Sequence, residues 1–327
     1  MLDILRCPQD AERVTLDGDH LECPNGHRYL IVDGIPVMLF DDKDATHAYI
    51  KKTLDKVARI ENGEQVEIVV PIKENKADEI DEYVAGILPY TCGNMYFPAQ
   101  RGISRYPFPE LRMPDSPTGE LFLDIGCNWG RWSIAAAKKG YRVVGIDPSL
   151  KAVQSARRIA RQLNENCLFV VGDARCLPFT TNAFDTVFSF GVFQHFSKEN
   201  TRIALDEIAR VLKPNQSALV QMATSTGIRC RQNWRRRGYT EGEQFEVRYW
   251  SPSELMETWE TKLGKTEMFA DSYFSLCAHR SDADLMPFRF RLVVYSSDLL
   301  RRISQRFKPL IKVADGVYLR SINNARS

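Results

Sequence analysis

The stretch from Leu121 to Asp147, LFLDIGCNWGRWSIAAAKKGYRVVGID, constrains the fold of this chain more than any other. The apolar run Leu121-Phe122-Leu123 has the character of a buried strand and breaks at Gly126. A helix follows, with Ile134, Ala135 and Ala136 as its inward face and Gly140 as its stop. A second β-type run, Arg142 to Ile146, ends on Asp147. Strand, glycine turn, helix, strand and acid make one βαβ unit of an open parallel sheet. A carboxylate at the tip of the second strand can accept both hydroxyls of a ribose. Asp147 stands 21 positions beyond Gly126, close to the ~20 that this role requires. A dinucleotide turn would read G-x-G-x-x-G, its middle glycine letting the backbone meet a pyrophosphate. Here Gly126-Cys127-Asn128-Trp129-Gly130 lacks that glycine, which points to a nucleoside without a pyrophosphate.

Three further motifs follow in order. Pro148 and Ser149 open a helix through Leu163, with Ala152, Val153, Ala156, Ile159 and Ala160 on one face. A third strand, Cys167 to Val171, ends at Gly172-Asp173-Ala174, and a fourth, Phe184 to Ser189, runs into the loop Phe190-Gly191-Val192-Phe193-Gln194-His195-Phe196. A helix near Glu199–Leu212, the turn Lys213-Pro214-Asn215-Gln216 and the strand Ala218 to Met222 complete the series. Over residues 115–225 the chain resembles class I S-adenosylmethionine (AdoMet) methyltransferases, whose first motif is D-x-G-x-G-x-G; Asp124, Gly126 and Gly130 match and Asn128 departs. The resemblance implies a Rossmann-like α/β fold with a seven-stranded sheet, and AdoMet as cofactor. The cofactor residues it implies are Asp124, Gly126, Cys127, Asn128, Gly130, Arg131, Asp147, Pro148, Asp173, Ala174 and Phe190. Asp147 would hold the ribose, Asp173 the adenine amine, the 126–130 turn the methionine moiety and Arg131 its carboxylate. An exposed helical arginine is the plainer alternative for Arg131. His195 leaves the C-terminal end of the fourth strand, where open α/β sheets place ligands, and is the candidate general base. A loop-holding histidine is the competing reading.

Residues 1–40 read as a separate module. Cys7-Pro8-Gln9-Asp10 and Cys23-Pro24-Asn25-Gly26-His27 are two turns about a hairpin-like segment, offering Cys7, Asp10, Cys23 and His27 to one tetrahedral zinc. The segment resembles the zinc-ribbon partner of RNA and protein methyltransferases, and the ribbon heading bacterial rRNA guanine methyltransferases. Both carry cysteine where Asp10 stands. A ribbon without metal, held by Leu16, Leu21, Tyr29, Ile31, Val37 and Leu39, is the alternative.

Residues 41–114 read as a linker and active-site cap. Asp41–Arg59 and Lys76–Leu88 are charged amphipathic helices, and an aromatic stretch follows in which Tyr90, Tyr96 and Tyr106 are candidates to cap the cofactor or line the substrate entrance. The methyltransferase domain takes 115–285 and includes a basic insertion, 226–250, where five arginines surround Trp234. Ser251 and Pro252 begin a capped helix. Residues 286–327 read as basic amphipathic C-terminal helices, with Arg289, Arg291, Arg301, Arg302, Arg306, Lys308, Lys312, Arg320 and Arg326 among Phe288, Phe290, Leu292, Leu299, Ile303 and Phe307. A helix packed on the core is the leading reading there, with nucleic acid or the cytoplasmic leaflet as alternatives.

The eight scattered cysteines form no disulfide framework, no apolar run reaches the ~18 residues of a span, and the start carries Asp3 where a signal peptide has basic residues. A cytoplasmic enzyme is expected, with contact to the inner leaflet open. For the acceptor, Leu177-Pro178-Phe179 and Gln194-His195-Phe196 resemble small-molecule and quinone-pathway methyltransferases, so a small-molecule or glycan hydroxyl leads. An rRNA or tRNA base is second. A non-catalytic AdoMet-binding scaffold is third, and no protein partner can be named.

Overall fold

A computed structural model describes residues 2–41, 48–64, 79–100, 102–116, 118–243, 245–277 and 279–324. Lys76, expected to open a helix, and Arg326 of the basic tail lie outside these residues.

The first residues build four short strands: β1 (Thr15–Asp17), β2 (His20–Glu22), β3 (Arg28–Val32) and β4 (Ile35–Met38), each antiparallel to the one before. Two helices follow, α1 (Ala48–Glu61) and α2 (Glu82–Cys92). The expected βαβ unit is present as β5 (Leu121–Ile125), α3 (Arg131–Ala137) and β6 (Arg142–Asp147). Then come α4 (Leu150–Gln162), β7 (Cys167–Gly172), β8 (Phe184–Phe190), α5 (Lys198–Val211) and β9 (Leu212–Ala223). The remainder is α6 (Ile228–Arg236), α7 (Pro252–Leu263), β10 (Thr266–Ser272), α8 (Phe288–Arg306) and β11 (Gly316–Ile322).

Local chemistry explains the boundaries. Ser149 caps α4 by accepting from Ala152 N, and Ser251 caps α7 by accepting from Glu254 N with Pro252 in the first turn. The Glu254 carboxylate pairs with Lys198 Nζ at 2.5 Å. The turn at 213–216 bulges out of β9, as the register jumps from Phe184↔Leu212 to Thr186↔Ser217. Asn215 takes a left-handed φ of 63° there, which asparagine tolerates.

All strands join one sheet in the order β1-β2-β3-β4-β7-β6-β5-β8-β9-β11-β10. The run from β4 to β9 is parallel beyond β3, while β11 is antiparallel to both neighbours, so β10 points the same way as β9. Among the described residues, the expected count of seven strands is therefore corrected to eleven. Seven belong to the nucleotide-type sheet, and β1 to β4 extend it. The reason lies in β4, whose four residues Ile35, Pro36, Val37 and Met38 are all buried. A strand apolar on both faces needs a neighbour and cover, and burying each large aliphatic side chain is worth roughly 1.5–3 kcal/mol. It pairs with β7 through Val37↔Val171 and Met38↔Gly172, so the first 40 residues share the sheet of the rest. Leu16, expected in a ribbon core, is exposed.

The C-terminal expectation needs a second correction. Residues 286–327 are not all helical, since β11 inserts between β9 and β10. Val317, Tyr318 and Leu319 are buried in that strand, a run too apolar for a solvated helix. The apolar stripe of α8 is packed inward only in part: Phe290 and Leu300 pack with Val294 against the core, while Phe288, Leu292, Leu299, Ile303 and Phe307 are exposed.

Core side chains lie on both faces of the sheet. Leu123, Ile125, Val144, Ile146 and Val170 pack with Leu205, Ile208 and Trp259 on one face; Trp129, Ile134, Val153, Ile159 and Phe169 pack with Val84 and Leu88 on the other. The chain steps outward from β5 to β6 and β7, then crosses to β8 and β9. This reversal opens a crevice at the C-terminal ends of the parallel strands. Among the described residues no helix is long and apolar enough to cross a membrane.

Candidate functional site

A cavity lies at that crevice. Its floor comes from the loops after β5 (Gly126, Asn128), β6 (Asp147, Pro148), β7 (Asp173, Ala174) and β8 (Phe190, Gly191, Val192, Gln194, His195). Tyr49 of α1, Tyr90 and Thr91 of α2, Phe245 and Cys277 close over it.

Asp147 is 8% exposed, and each of its oxygens accepts one backbone amide, from Asn128 at 3.0 Å and Ser149 at 2.9 Å. Each oxygen keeps a further lone pair for a ligand hydroxyl. Burial pushes this carboxyl up to about 6, with the two amides opposing. Asn128 shows how the turn manages without its usual glycine. It sits at φ 45°, and its Oδ1 accepts from Trp129 N at 2.9 Å, so the asparagine locks its own left-handed turn. Gly126, at φ 75°, has no such freedom: a Cβ there would come within 2.2 Å of Val192 Cγ2. Asp173 is clamped by Arg175, whose backbone N, Nε and Nη2 donate at 2.9, 3.1 and 2.8 Å. Three of its four lone-pair sites are thus used, and one remains on Oδ1.

Four of the expected cofactor residues do not line the cavity: Asp124, Cys127, Gly130 and Arg131. Asp124 is buried behind the turn and accepts from Ser133 Oγ at 2.6 Å; burial pushes its carboxyl up to about 7, the negative Asp147 adding to the effect. It ties β5 to α3. Gly130, at φ 81°, packs against Ala156, and Cys127 is buried. Arg131 answers neither reading made of it. It is 4% exposed, donates Nε to Pro107 O at 2.7 Å, and pairs through Nη2 with Asp282 Oδ2 at 2.7 Å. Tyr96 OH donates to the same Asp282 oxygen at 2.5 Å. The ion pair joins the start of α3 to the segment 279–286, too distant in sequence to be foreseen.

Of the three tyrosines proposed as caps, Tyr90 lines the cavity, whereas Tyr96 and Tyr106 are buried. The Tyr106 hydroxyl accepts from Asp81 N and sits 2.8 Å from Gln162 Oε1. His195 reaches the cavity wall with its ring stacked on Phe245, centroids 3.9 Å apart and planes at 8°. Its loop is pinned by Arg248, which donates its backbone N to Gln194 O at 2.7 Å and its side chain to His195 O.

Sequence patterning assigns no role to Gln221 near the end of β9, Asp271 and Ser272 at the end of β10, or His279 beyond it, all of them buried. The available signal was a glutamine inside an otherwise apolar strand.

The four N-terminal ligand candidates also converge. Cys7, Asp10, Cys23 and His27 each offer one atom within 4.8 Å of the others. His27 Nδ1 lies 3.4 Å from both sulfurs and 3.0 Å from Asp10 Oδ2. Ligands on a tetrahedral zinc are about 3.5 Å apart given bonds of ~2.0–2.3 Å. The donor set and its spacing fit zinc.

A family model described as "Methyltransferase domain" matches residues 122–215. The Mus musculus protein named "Probable tRNA methyltransferase 9B" is 34% identical over 116 residues, covering 35% of this chain and 24% of that protein. Demethylmenaquinone methyltransferase of Corynebacterium kroppenstedtii is 37% identical over 101 residues, covering 31% of this chain and 40% of that protein. The matched part is thus about a quarter to two fifths of these relatives' length. The solved structure of Haemonchus contortus phosphoethanolamine N-methyltransferase 2 with S-adenosyl-L-methionine is 17% identical, at TM-score 0.46, over 75% of this chain and 57% of that one.

Proposed function

We propose that this chain, whose residues 122–215 form an AdoMet-dependent methyltransferase domain, transfers a methyl group to a hydroxyl of a small-molecule or glycan acceptor. The observation that carries the reading is the pair of buried carboxylates, Asp147 and Asp173, facing one cavity from the ends of adjacent strands. When bound, AdoMet supplies an electrophilic methyl group. Asp147 accepts the ribose hydroxyls, Asp173 accepts the adenine amine through its remaining lone pair, and Gly126, Asn128, Pro148, Ala174 and Phe190 shape the seat. Asp124, Cys127, Gly130 and Arg131 act one layer behind, by fixing the turn and α3. Methyl transfer is an in-line displacement, so alignment supplies much of the rate. His195 at the cavity wall takes the acceptor's proton.

A second reading, methylation of tRNA or rRNA, draws on two observations. One is the naming of the murine relative; the other is α6, where Arg229, Arg231, Arg235 and Arg236 are exposed together. We further propose that Cys7, Asp10, Cys23 and His27 hold one structural zinc, and that the exposed stripe of α8, with Arg289 and Arg306 exposed beside it, rests on an anionic membrane surface. Metal analysis of the purified protein should return close to one zinc per chain, and a metal-free protein would dismiss that site.

The experiment for the main reading supplies AdoMet with a labelled methyl group and extract of the source cells, and then separates RNA, protein, lipid and soluble saccharides or metabolites. Label in saccharide, lipid or metabolite is expected and should fall in His195→Ala with cofactor binding kept. Label in RNA replaces this reading by the second. Cofactor binding without any transfer would revive a scaffold.

A further inference from the structure

Along α8 and its C-cap, Phe288, Leu292, Tyr295, Leu299, Ile303 and Phe307 recur every three or four residues, which puts them on one side of the helix. Each is between 44% and 74% exposed. The opposite side is anchored: Val294, Ser297 and Ser304 are buried, and Phe290 and Leu300 pack against the core. The outward stripe therefore belongs to a helix already folded onto the protein. Six large apolar side chains in one row exceed the scattered exposure of an ordinary soluble surface, and such a patch marks a contact.

Charge narrows what the stripe meets. From Met286 to Val313 the chain has seven lysines and arginines and one acid, Asp298. That acid is occupied by Arg280, Arg301 and Arg302, at 3.1, 2.6 and 2.9 Å. Arg289, Arg302 and Arg306 are exposed on or beside the stripe, and Lys308 and Lys312 continue past its end. A second copy of the helix would set cations against cations. A nucleic acid meets basic groups through its phosphates and would leave the central apolar row uncovered. An anionic bilayer answers both features, since the apolar row enters the acyl boundary while the arginines stay among the headgroups. With 19 residues, α8 can lie in that plane over roughly 28 Å.

The helix also lies at the ligand edge of the sheet. β10 ends at Ser272, opposite Gly316 at the start of β11, and Gly316 pairs with Ala223 at the end of β9. The next residue, Tyr273, donates its N–H to Ser297 Oγ of α8 at 2.9 Å and its hydroxyl to Leu310 O at 3.2 Å. The middle of α8 and the turn beyond it are thus held at the edge where the parallel strands open into the cavity. The connection from Tyr273 to α8 contributes Cys277 to the cavity lining. It also carries Asp282 and Asp284, which hold Tyr96 at 2.5 Å and Arg105 at 2.6 Å and so tie the segment after α2 to the start of α8. Phe97 of that segment sits edge-on to Tyr90, ring centroids 6.2 Å apart; both are exposed, and Tyr90 lines the cavity. Exposed aromatic rings beside the cavity suit a membrane interface.

We propose that the acceptor is a lipid of that bilayer whose headgroup carries a free hydroxyl, as a sugar headgroup does, and that α8 seats the enzyme so that the cavity meets the headgroup layer. This rests on the methyl-transfer reading and the membrane contact stated above, and narrows the acceptor from a soluble to an anchored one. The acyl chains stay in the bilayer while the headgroup enters the cavity. Its hydroxyl oxygen forms the new bond to the methyl group, the bond from that methyl to the AdoMet sulfur breaks to leave S-adenosylhomocysteine, and the hydroxyl proton passes to His195.

The test compares wild type with the double variant Leu292→Glu/Leu299→Glu, both exposed positions outside the cavity lining. Flotation is measured with phosphatidylcholine vesicles with and without phosphatidylserine, neither of which carries a headgroup hydroxyl. Labelled-methyl transfer is measured to the water-soluble extract of the source cells and to their lipids, offered in the anionic vesicles or dispersed in detergent. S-adenosylhomocysteine affinity and thermal unfolding are followed in parallel. Wild type is expected to float with the anionic vesicles, less with the neutral ones, and to label lipid. The variant is expected to bind anionic vesicles tenfold or more weakly and to label vesicle-borne lipid correspondingly less. Its transfer to detergent-dispersed lipid and its S-adenosylhomocysteine affinity should stay within twofold of wild type. Should the double variant fail to fold, Arg306→Glu carries the comparison, with a smaller loss of vesicle binding. Wild type that ignores anionic vesicles, or forms a dimer that the variant dissolves, overturns the membrane contact and the anchored acceptor with it. Vesicle binding with label confined to soluble saccharide, RNA or protein overturns the lipid acceptor and leaves methyl transfer standing. No label in any fraction, with S-adenosylhomocysteine bound, overturns the methyl-transfer reading itself and this acceptor with it.

Discussion

The two ends of the ligand edge satisfy their polar groups differently. At the β6–β7 end, Asp147 and Asp173 are held by backbone amides and by Arg175, and behind them Asp124 is held by Ser133. At the β9–β10 end, Gln221, Asp271, Ser272 and His279 carry atoms with no hydrogen-bond partner among the described residues. A site with its own hydrogen bonds is preorganised and keeps its shape when empty. Buried polar groups left unmet instead carry a desolvation cost that the folded protein bears.

The largest effect is expected at the link between these ends, the buried Arg131–Asp282 pair. Arg131→Met leaves a buried carboxylate without its cation and should cost about 3–5 kcal/mol in chemical denaturation, since breaking a buried pair is far costlier than replacing both partners. Adding Asp282→Asn should recover part of the loss while keeping an acceptor for Tyr96. If Arg131→Met is neutral, the two ends are not held together there.

Next comes Asp147→Ala. Removing two charged hydrogen bonds to a ribose, each worth ~1.5–3 kcal/mol, should weaken AdoMet binding by roughly a hundredfold or more in calorimetry. An unchanged affinity would place the nucleoside elsewhere.

Acidity should separate binding from stability. The Asp147 carboxyl is raised from 3.8 to about 6, so its ionised, ligand-accepting form is lost as pH falls through about 6, and AdoMet affinity should drop up to about tenfold per unit below that. Stability runs the other way. The folded carboxyl holds its proton more tightly than the unfolded one, so its contribution to stability declines as pH rises from about 4 to about 6 and is level above. Asp147→Asn should flatten both dependences, leaving the similar decline due to Asp124, which extends to about 7.

The smallest expected changes have opposite signs. Ser133→Ala deprives Asp124 of its donor and should destabilise by about 1–2 kcal/mol, whereas Gln221→Leu removes two unmet groups and should stabilise by about 1 kcal/mol. Equal signs in thermal unfolding would erase the contrast between the ends.

The cofactor side was legible because its information is local. The run Leu121-Phe122-Leu123, the glycine turn and Asp147 lie within 27 residues, and each acts through its own backbone or nearest neighbours. His195 was placed correctly at the cavity wall for the same reason, as the loop follows directly on β8. The convergence of Cys7, Asp10, Cys23 and His27 was equally readable, because two Cys-Pro turns separated by one hairpin bring them together. Arg131 was misread, since its partner is 151 residues away. The stripe of α8 was read correctly only at Phe290 and Leu300, which pack on the core: periodicity shows that a helix has an apolar face but not what all of that face meets.

By itself, then, the sequence determined the βαβ unit, the acids at the strand tips, the helix caps and the convergence of Cys7, Asp10, Cys23 and His27, all set by short-range backbone preferences and spacing. Tertiary structure alone decided that β4 would extend the sheet at β7, that β11 would return between β9 and β10, and that Arg131 would be buried. It also gathered Gln221, Asp271, Ser272 and His279 at one end of the crevice. Those outcomes depend on which distant surfaces exclude water together, a property of the packed whole that no local stretch encodes.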